Sequence, residues 1–109
     1  MDDDAKGDAR MRMLLIVKSE TEAANRAIED GSWDRMMQDF VPRLQPEAAY
    51  ATTLDGKRGA VFVFDLSNAS QIPSIAEPLF RTMNASVEIA PAMTMEEVQA
   101  GFRKMVAAS

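Results

Sequence analysis

Two stretches of the chain are apolar at most positions: Met11–Lys18 and Gly59–Leu66. Successive side chains of a β-strand point to opposite faces of the sheet, so strands with this pattern present apolar side chains on both faces. Antiparallel sheets that leave one face in water show an alternating pattern instead. The pattern therefore predicts two central strands in a sheet whose faces are both covered.

Two further strands have weaker patterns. Glu47–Leu54 precedes Asp55–Arg58, and Asp-Gly is a strong signal for a hairpin that joins this strand to Gly59–Leu66. Ser86–Met93 alternates between apolar and polar residues, and Pro91 removes one backbone donor from it. We expect Ser86–Met93, or at least its end, to lie at an edge of the sheet or at a bulge.

Between the first two strands the sequence predicts two short helices. The first covers Glu22–Asp30, with Ser19 or Thr21 as its N-cap and Gly31 at its C-terminal end. Pro42 is expected to kink or end the second helix. The second helix carries a single apolar stripe, formed by Trp33, Met36, Met37, Phe40, Val41 and Leu44.

Two more helices are predicted later in the chain. Asn84 is expected to end the first of them, and Pro78 predicts a local bend inside it. Thr94 and Glu97 form a capping box for a last helix that ends near Ala107. The apolar stripe of the earlier helix consists of Ile72, Ile75, Ala76, Leu79, Phe80 and Met83.

The resulting order of elements, β-α-β-β-α-β-α, predicts an α+β fold. Its first six elements match the ferredoxin-like βαββαβ arrangement, an antiparallel four-stranded sheet with two helices on one face, and the last helix is an extra C-terminal element. We expect one domain over residues 11–107. Residues 1–10 are acidic and poor in large apolar side chains, which predicts a disordered lead-in.

Composition excludes several kinds of site. The chain has neither cysteine nor histidine, so thiolate catalysis, a Ser–His–Asp triad and Cys- or His-based metal sites are excluded, and we predict no metal and no cofactor. The net charge of −5 argues against binding to nucleic acid or to an anionic membrane surface. No apolar run approaches about 18 residues, and the acidic start is unlike a signal peptide, so a cytoplasmic location is expected.

The second face of the predicted sheet needs a cover. The two main helices cover one face, and whichever alternate residues of the central strands face the other side are apolar. Contiguous apolar patches of this kind are rare on the surface of soluble monomers. We expect a homodimer through this open sheet face, and the alternative is that the last helix of the same chain folds over it.

Three segments carry a resemblance to known proteins: Met11–Lys18, the helix end Glu77–Phe80 and the following Val87–Met93. The chain resembles the dimeric α/β-barrel superfamily, in which two ferredoxin-like subunits pack sheet to sheet. It is similar to muconolactone isomerase-like and YciI-like subunits in its layout. It lacks the His–Asp pair and the Asp-Gly-Pro-Phe stretch of YciI-like members, so the resemblance implies a fold and an assembly, and the catalytic residues stay unknown.

Six residues are candidates for ligand binding. Tyr50 and Thr52 share one face of a strand and can donate hydrogen bonds to a ligand, and Trp33 can stack on one. The alternatives are a tyrosine at the sheet rim, with its hydroxyl in water, and a tryptophan that packs in the core. The complete set is Tyr50, Thr52, Glu88, Arg12, Lys18 and Trp33.

The charged candidates also have two interpretations. Glu88 is the only carboxylate inside the fourth strand, and an apolar barrel would raise its pKa and make it a proton shuttle. Arg12 and Lys18 flank the first strand and can bind a carboxylate. The alternative for all three is a solvated charge at the end or edge of a strand.

Two functions follow from these patterns, and the sequence leaves both open. The first is an uncharacterised homodimeric α/β-barrel domain that binds a small apolar or aromatic ligand between sheet and helices. The second is a small-molecule enzyme of the muconolactone isomerase or cofactor-free oxygenase type, so enzymatic activity is uncertain. An RNA-binding sheet would need exposed aromatic residues in a basic surround, which the acidic charge balance disfavours.

Overall fold

The computed structural model describes residues 10–109 of the chain, so nearly all of the predicted acidic lead-in lies outside the described residues. The described residues form an α+β fold with a four-stranded antiparallel sheet, as predicted. The division into a lead-in and one domain stays a prediction. The elements in chain order are β1 (Met11–Lys18), α1 (Thr21–Asp30), α2 (Ser32–Leu44), β2 (Ala48–Leu54), β3 (Lys57–Leu66), α3 (Ile72–Met83), β4 (Ser86–Pro91) and α4 (Met95–Ala107).

The sheet has the strand order β2-β3-β1-β4, and every neighbouring pair is antiparallel. The two strands that are apolar on both faces, β1 and β3, are the central strands, as the sequence predicts. β4 is an edge strand, also as predicted, and it ends at Pro91, two residues before the predicted end at Met93. The connections from β1 to β2 and from β3 to β4 each cross over one strand and contain the helices.

The hairpin between β2 and β3 turns on two residues. Asp55 and Gly56 both have positive φ angles, 52° and 76°. Two-residue hairpin turns need this conformation because it matches the twist of the strands, and Asp-Gly adopts it readily. β3 consequently begins at Lys57, two residues before the predicted start at Gly59.

The core lies between the sheet and the helices α1–α3. The ring of Phe40 on α2 meets the ring of Phe62 on β3 edge to face, with centroids 5.7 Å apart. β1 contributes alternate residues to this layer, and its other positions face away. The largest fully buried side chains are Phe40, Phe64, Leu15, Leu79 and Met83.

The N-cap of α1 differs from the prediction. Glu20 is the cap, and its carboxylate accepts a hydrogen bond from the backbone N–H of Ala23 at 2.8 Å. Ser19 is buried instead, and its hydroxyl donates to the carbonyl oxygen of Arg58 at 3.1 Å. Ser19 is therefore used to tie the end of β1 to β3. The predicted left-handed Gly31 after α1 is confirmed, with φ of 83°.

The two internal prolines do not end their helices. α2 continues past Pro42 to Leu44, which is buried, and Gln45 then ends the helix in the left-handed conformation. The loss of one backbone hydrogen bond at Pro42 is offset by burial of Leu44 in the core. α3 likewise runs through Pro78 and ends at the predicted Asn84, which is left-handed.

The C-terminal helix α4 begins at the predicted capping box of Thr94 and Glu97. None of its residues is buried. Phe102 is 56% exposed and Val106 is 68% exposed, although both belong to the apolar stripe of this helix, which consists of Met95, Val98, Phe102, Met105 and Val106. α4 therefore does not bury its stripe against the sheet of its own chain, and the alternative that it folds over the open face is wrong for the single chain.

Lowering the pH from about 7 to about 3 is expected to lower the free energy of unfolding. Glu20 accepts hydrogen bonds from backbone N–H groups at the start of α1, and these bonds lower its pKa. Glu97 accepts a hydrogen bond from the backbone N–H of Thr94, which lowers the pKa of Glu97. A lowered folded-state pKa contributes stability above the unfolded pKa, which is lost as the pH falls through the folded pKa. Urea denaturation at both pH values measures the effect.

The Glu20→Gln variant is the test for the cap. Its amide oxygen can still accept the N–H bonds but does not titrate in this range, so the pH dependence should become shallower. Glu29→Gln on the same helix removes a carboxylate that caps nothing, and it should change the dependence less. If the free energy of unfolding depended on pH equally in the two variants, the assignment of Glu20 as the N-cap would be contradicted.

Candidate functional site

The face of the sheet turned away from α1–α3 is called the open face. Register places Glu88, Ile16, Val61 and Tyr50 in one row across β4, β1, β3 and β2. The residues two positions along each strand share the same face. The apolar centre of the open face consists of Leu14, Ile16, Val61 and Val63, and its charged rim consists of Arg12, Lys18, Asp65 and Glu88.

Five of the six predicted ligand-binding residues share the open face, and Trp33 does not. Trp33 lies at the start of α2, on the opposite side of the sheet. Tyr50 and Thr52 are on β2 at one edge, and Glu88 is on β4 at the other edge. Three strand spacings of about 4.8 Å separate β2 from β4, which puts the backbones of Tyr50 and Glu88 about 14 Å apart.

This separation determines what one subunit can do with these groups. Tyr50 is 71% exposed, and Glu88 is also exposed. Within residues 10–109 no ion pair to Glu88 is present. An acid–base pair acts together only when both groups reach the same substrate, so the open face of a single chain does not assemble such a pair from Tyr50 and Glu88.

The two cations of the open face are held by carboxylates at opposite ends of β1. The Nε atom of Arg12 lies 3.0 Å from a carboxylate oxygen of Glu47, and this hydrogen bond raises the pKa of Arg12. The Nζ atom of Lys18 lies 2.7 Å from a carboxylate oxygen of Asp55, and this bond lowers the pKa of Asp55. Both cations thus sit at the rim and leave the centre of the face apolar.

A groove lies on the helix side of the sheet, between α2 and β2. Its volume is about 450 Å³. The half-buried side chains of Trp33, Met37 and Val41 line it from α2, and Ala49 and Ala51 line it from β2. The helix layer covers β1 and β3 but stops short of β2, whose helix-side residues are small and exposed. The groove is therefore apolar and open to solvent.

The sequence contains a signal for this groove that a single-stripe interpretation misses. The apolar residues of α2 form two rows, one buried and one half-buried. Met36, Phe40 and Leu44 pack into the core, and Trp33, Met37 and Val41 follow the same spacing of four on the side facing β2. Trp33 is therefore the predicted ligand-binding residue that lines the groove with its side chain.

The groove also reaches Tyr50, Thr52 and Ser19. The side chains of Tyr50 and Thr52 alternate to the open face, so they do not project into the groove. The hydroxyl of Ser19 is already bonded to the carbonyl of Arg58. Arg58 is the one charged residue among the described residues that line the groove and can add a polar contact, and the remaining walls suit an apolar or aromatic molecule.

Over the part of the chain that the structure describes, no cluster of three or more acidic side chains is placed to hold a metal ion. Over the same residues, no helix combines the length and the apolar character that crossing a bilayer requires. The cytoplasmic location stays a prediction from the sequence.

No protein-family model matches the chain, and no curated protein matches it in sequence. Among solved structures, the chain is similar to the uncharacterized protein TM1266 from Thermotoga maritima, with a TM-score of 0.50 and 14% sequence identity. The match covers 77% of this chain and 99% of that chain. At this identity the similarity shows the fold alone, an antiparallel four-stranded sheet with helices.

Proposed function

We propose that this chain is a ferredoxin-like subunit of a homodimeric α/β barrel and that it binds a small apolar or aromatic ligand in the groove between α2 and β2. The strand order β2-β3-β1-β4 with two helical crossovers supports the ferredoxin-like assignment, with the first crossover split into α1 and α2. The resemblance to dimeric α/β-barrel subunits supports the assembly.

The observation that carries the proposal is that one chain has two unpartnered apolar surfaces. The open face has an apolar centre of four aliphatic residues, and no residue of the apolar stripe of α4 is buried in its own chain. An isolated helix of about 13 residues is marginal in water, so a stable α4 needs a packing partner. A second copy supplies partners for both surfaces without any other molecule.

The energetics allow such a dimer. Burial of apolar surface contributes about 2.5 kcal/mol of gross transfer free energy for each 100 Å². Association costs about 4–15 kcal/mol, so the interface needs about 200–600 Å² of buried apolar surface, to which both the open face and the stripe of α4 can contribute. The rim charges are of both signs, which lets a two-fold interface pair Arg12 or Lys18 with Asp65 or Glu88 of the partner subunit.

Sedimentation equilibrium tests the assembly. The expected result is a particle of at least twice the 12.0 kDa mass of the chain over a range of protein concentrations. A particle of 12 kDa throughout this range would overturn the dimer.

The ligand-binding part of the proposal is supported by size and chemistry. Ligand pockets commonly measure about 300–1,000 Å³ and are lined mainly by apolar and aromatic side chains. The groove, at about 450 Å³, falls in this range, and its lining includes Trp33 and the adaptable side chain of Met37. The expected ligand is a small, neutral, apolar or aromatic compound.

The Met37→Glu variant is expected to weaken binding of a neutral apolar probe by about tenfold or more, because a carboxylate would have to lose water against an apolar ligand. The probe is N-phenyl-1-naphthylamine, which accepts energy from tryptophan. Trp33 is the only tryptophan of the chain, so saturable quenching of its emission reports the groove directly.

Gln38→Glu is the matched control for this variant. It adds a similar charge at the next position of α2, which is exposed and does not line the groove. We expect its affinity for the probe to stay close to that of the wild type. Absence of saturable quenching in the wild type, or equal affinities of the two variants, would contradict ligand binding in the groove.

The enzymatic alternative, of the muconolactone isomerase or cofactor-free oxygenase type, has less support. A mechanism with Glu88 as base and Tyr50 as acid would need both side chains close to one substrate molecule. Glu88 and Tyr50 lie at opposite edges of the sheet, and the groove contains no carboxylate among the residues that line it. Binding without chemistry is therefore the proposed function.

A further inference from the structure

The outer edge of β2 is an unprotected strand edge. β2 pairs with β3 on one side only, so the backbone N–H and C=O groups of its other side have no partner strand in the sheet. All seven residues, Ala48–Leu54, pair with β3 in unbroken register, and none of them is charged, glycine or proline. Natural proteins normally protect such an edge with charges, prolines or bulges.

The opposite edge of the same sheet does carry this protection. β4 is one residue shorter than β2, contains the charged Glu88 and ends at Pro91, which has no N–H to donate. Both features oppose pairing with a further strand. One edge of the sheet is therefore blocked, and the other edge is left competent to accept a strand.

We propose that β2 pairs with β2 of a second copy, antiparallel about a two-fold axis at Ala51, and so joins two four-stranded sheets into one. A two-fold pairing uses the same strand on both sides and needs no other partner. Centring on Ala51 aligns all seven residues, which gives the largest number of backbone hydrogen bonds. Tyr50 then faces Thr52 of the partner subunit, an aromatic–β-branched pair that stabilises sheets.

Side chains at the ends of the strand are compatible with this register. Glu47 would lie opposite Asp55 of the partner subunit, which brings two carboxylates towards each other. Each of them is already paired within its own chain, Glu47 with Arg12 at 3.0 Å and Asp55 with Lys18 at 2.7 Å. The negative charges at the ends of the paired strands are thus neutralised by ion pairs within each chain.

The helix side of β2 gives an independent reason for a second copy. Ala49, Ala51 and Thr53 are exposed there because the helix layer stops short of β2. The half-buried row of Trp33, Met37 and Val41 faces this uncovered strip. An extended sheet places α2 of the partner subunit opposite this row, so that the groove becomes an enclosed cavity shared by two chains.

Cysteine cross-linking tests the pairing, because the chain contains no cysteine of its own. In Ala51→Cys, the new thiols of two copies lie directly opposite each other. Directly opposed Cβ atoms are about 4.5–5.5 Å apart, close to the separation that a disulfide needs. We expect mild oxidation to convert most of the variant into a disulfide-linked dimer, seen on a non-reducing gel.

Thr53→Cys is the matched control. It lies on the same strand and the same face, but its two copies are four residues apart along the paired strands, about 13 Å. We expect it not to cross-link with itself and to cross-link when mixed with Ala49→Cys, which it faces across the axis. Equal self-linking of Ala51→Cys and Thr53→Cys, or no linking by either, would overturn the pairing.

A second substitution, combined with Ala51→Cys in the same chain, distinguishes the β2 interface from the dimer through the open face. Val61→Asp places a charge at the centre of the open face and leaves the outer edge of β2 unchanged. We expect the double variant with Val61→Asp and Ala51→Cys to form the disulfide as readily as the variant with Ala51→Cys only. If Ala51→Cys links only when the open face is intact, β2 is not an interface of its own and the inference fails, whatever the outcome for the open-face dimer.

Discussion

Replacing Val61 by aspartate is expected to abolish the proposed dimer through the open face while the subunit stays folded. Val61 lies at the centre of the open face, between Ile16 of β1 and Tyr50 of β2. In the dimer each subunit would bury one added carboxylate without a partner, which costs several kcal/mol. Because each 1.4 kcal/mol changes a dissociation constant tenfold, the constant should rise by about a thousandfold or more.

Sedimentation equilibrium measures this effect, and circular dichroism verifies that the variant is folded. Asn25→Asp on the exposed side of α1 adds the same charge on the helix side of the molecule and should leave the dissociation constant unchanged. The pairing through β2 predicts a residual dimer of Val61→Asp at high concentration, and Ala51→Lys should remove it, since two lysines would then lie opposite each other. An unchanged dissociation constant for Val61→Asp would show that the open face is not the interface.

Phe40→Ala is expected to lower the free energy of unfolding by about 3–5 kcal/mol. Phe40 is 1% exposed, and its ring packs edge to face against Phe62 with centroids 5.7 Å apart. The truncation removes both the buried ring surface and the aromatic contact, and it leaves a cavity between α2 and β3. Because domains of this size are stable by about 5–15 kcal/mol, the loss is a large share of the total.

Urea denaturation at a fixed protein concentration measures this loss, since the stability of a dimer depends on concentration. Phe80→Ala is the matched control because Phe80, on α3, is 42% exposed and lies outside the core cluster. We expect a change of less than about 1 kcal/mol for it. Similar losses for the two variants would contradict the position of Phe40 at the centre of the core.

Local signals in the sequence predicted the local structure well. Asp55-Gly56 specifies its turn because both residues tolerate positive φ, and the Thr94–Glu97 capping box fixes the start of α4 because its hydrogen bonds are within four residues. At Pro42 the sequence allowed either a kink or an end of the helix, and the structure shows that the helix does not end there but continues to Leu44, two residues later, whose side chain is buried in the core.

The candidate site was predicted only in part. The pattern of a strand shows which of its own residues lie on the same face of the sheet, but it does not show which of these faces lies next to a given face of another strand. Register between strands placed Arg12, Lys18, Tyr50, Thr52 and Glu88 on one face and set Tyr50 and Glu88 at opposite edges. The groove beside Trp33 depends on how far the helix layer extends over β2, which is a property of packing.

The sequence by itself determined the α+β class, the two central strands, the hairpin and most helix ends, since hydrophobic period, turn residues and caps act over a few positions. The tertiary structure alone decided that α4 leaves the sheet uncovered, that α2 stops short of β2, and that one edge is blocked while the other is open. These three features depend on contacts between residues far apart in the chain, where many near-equal arrangements satisfy the same local pattern.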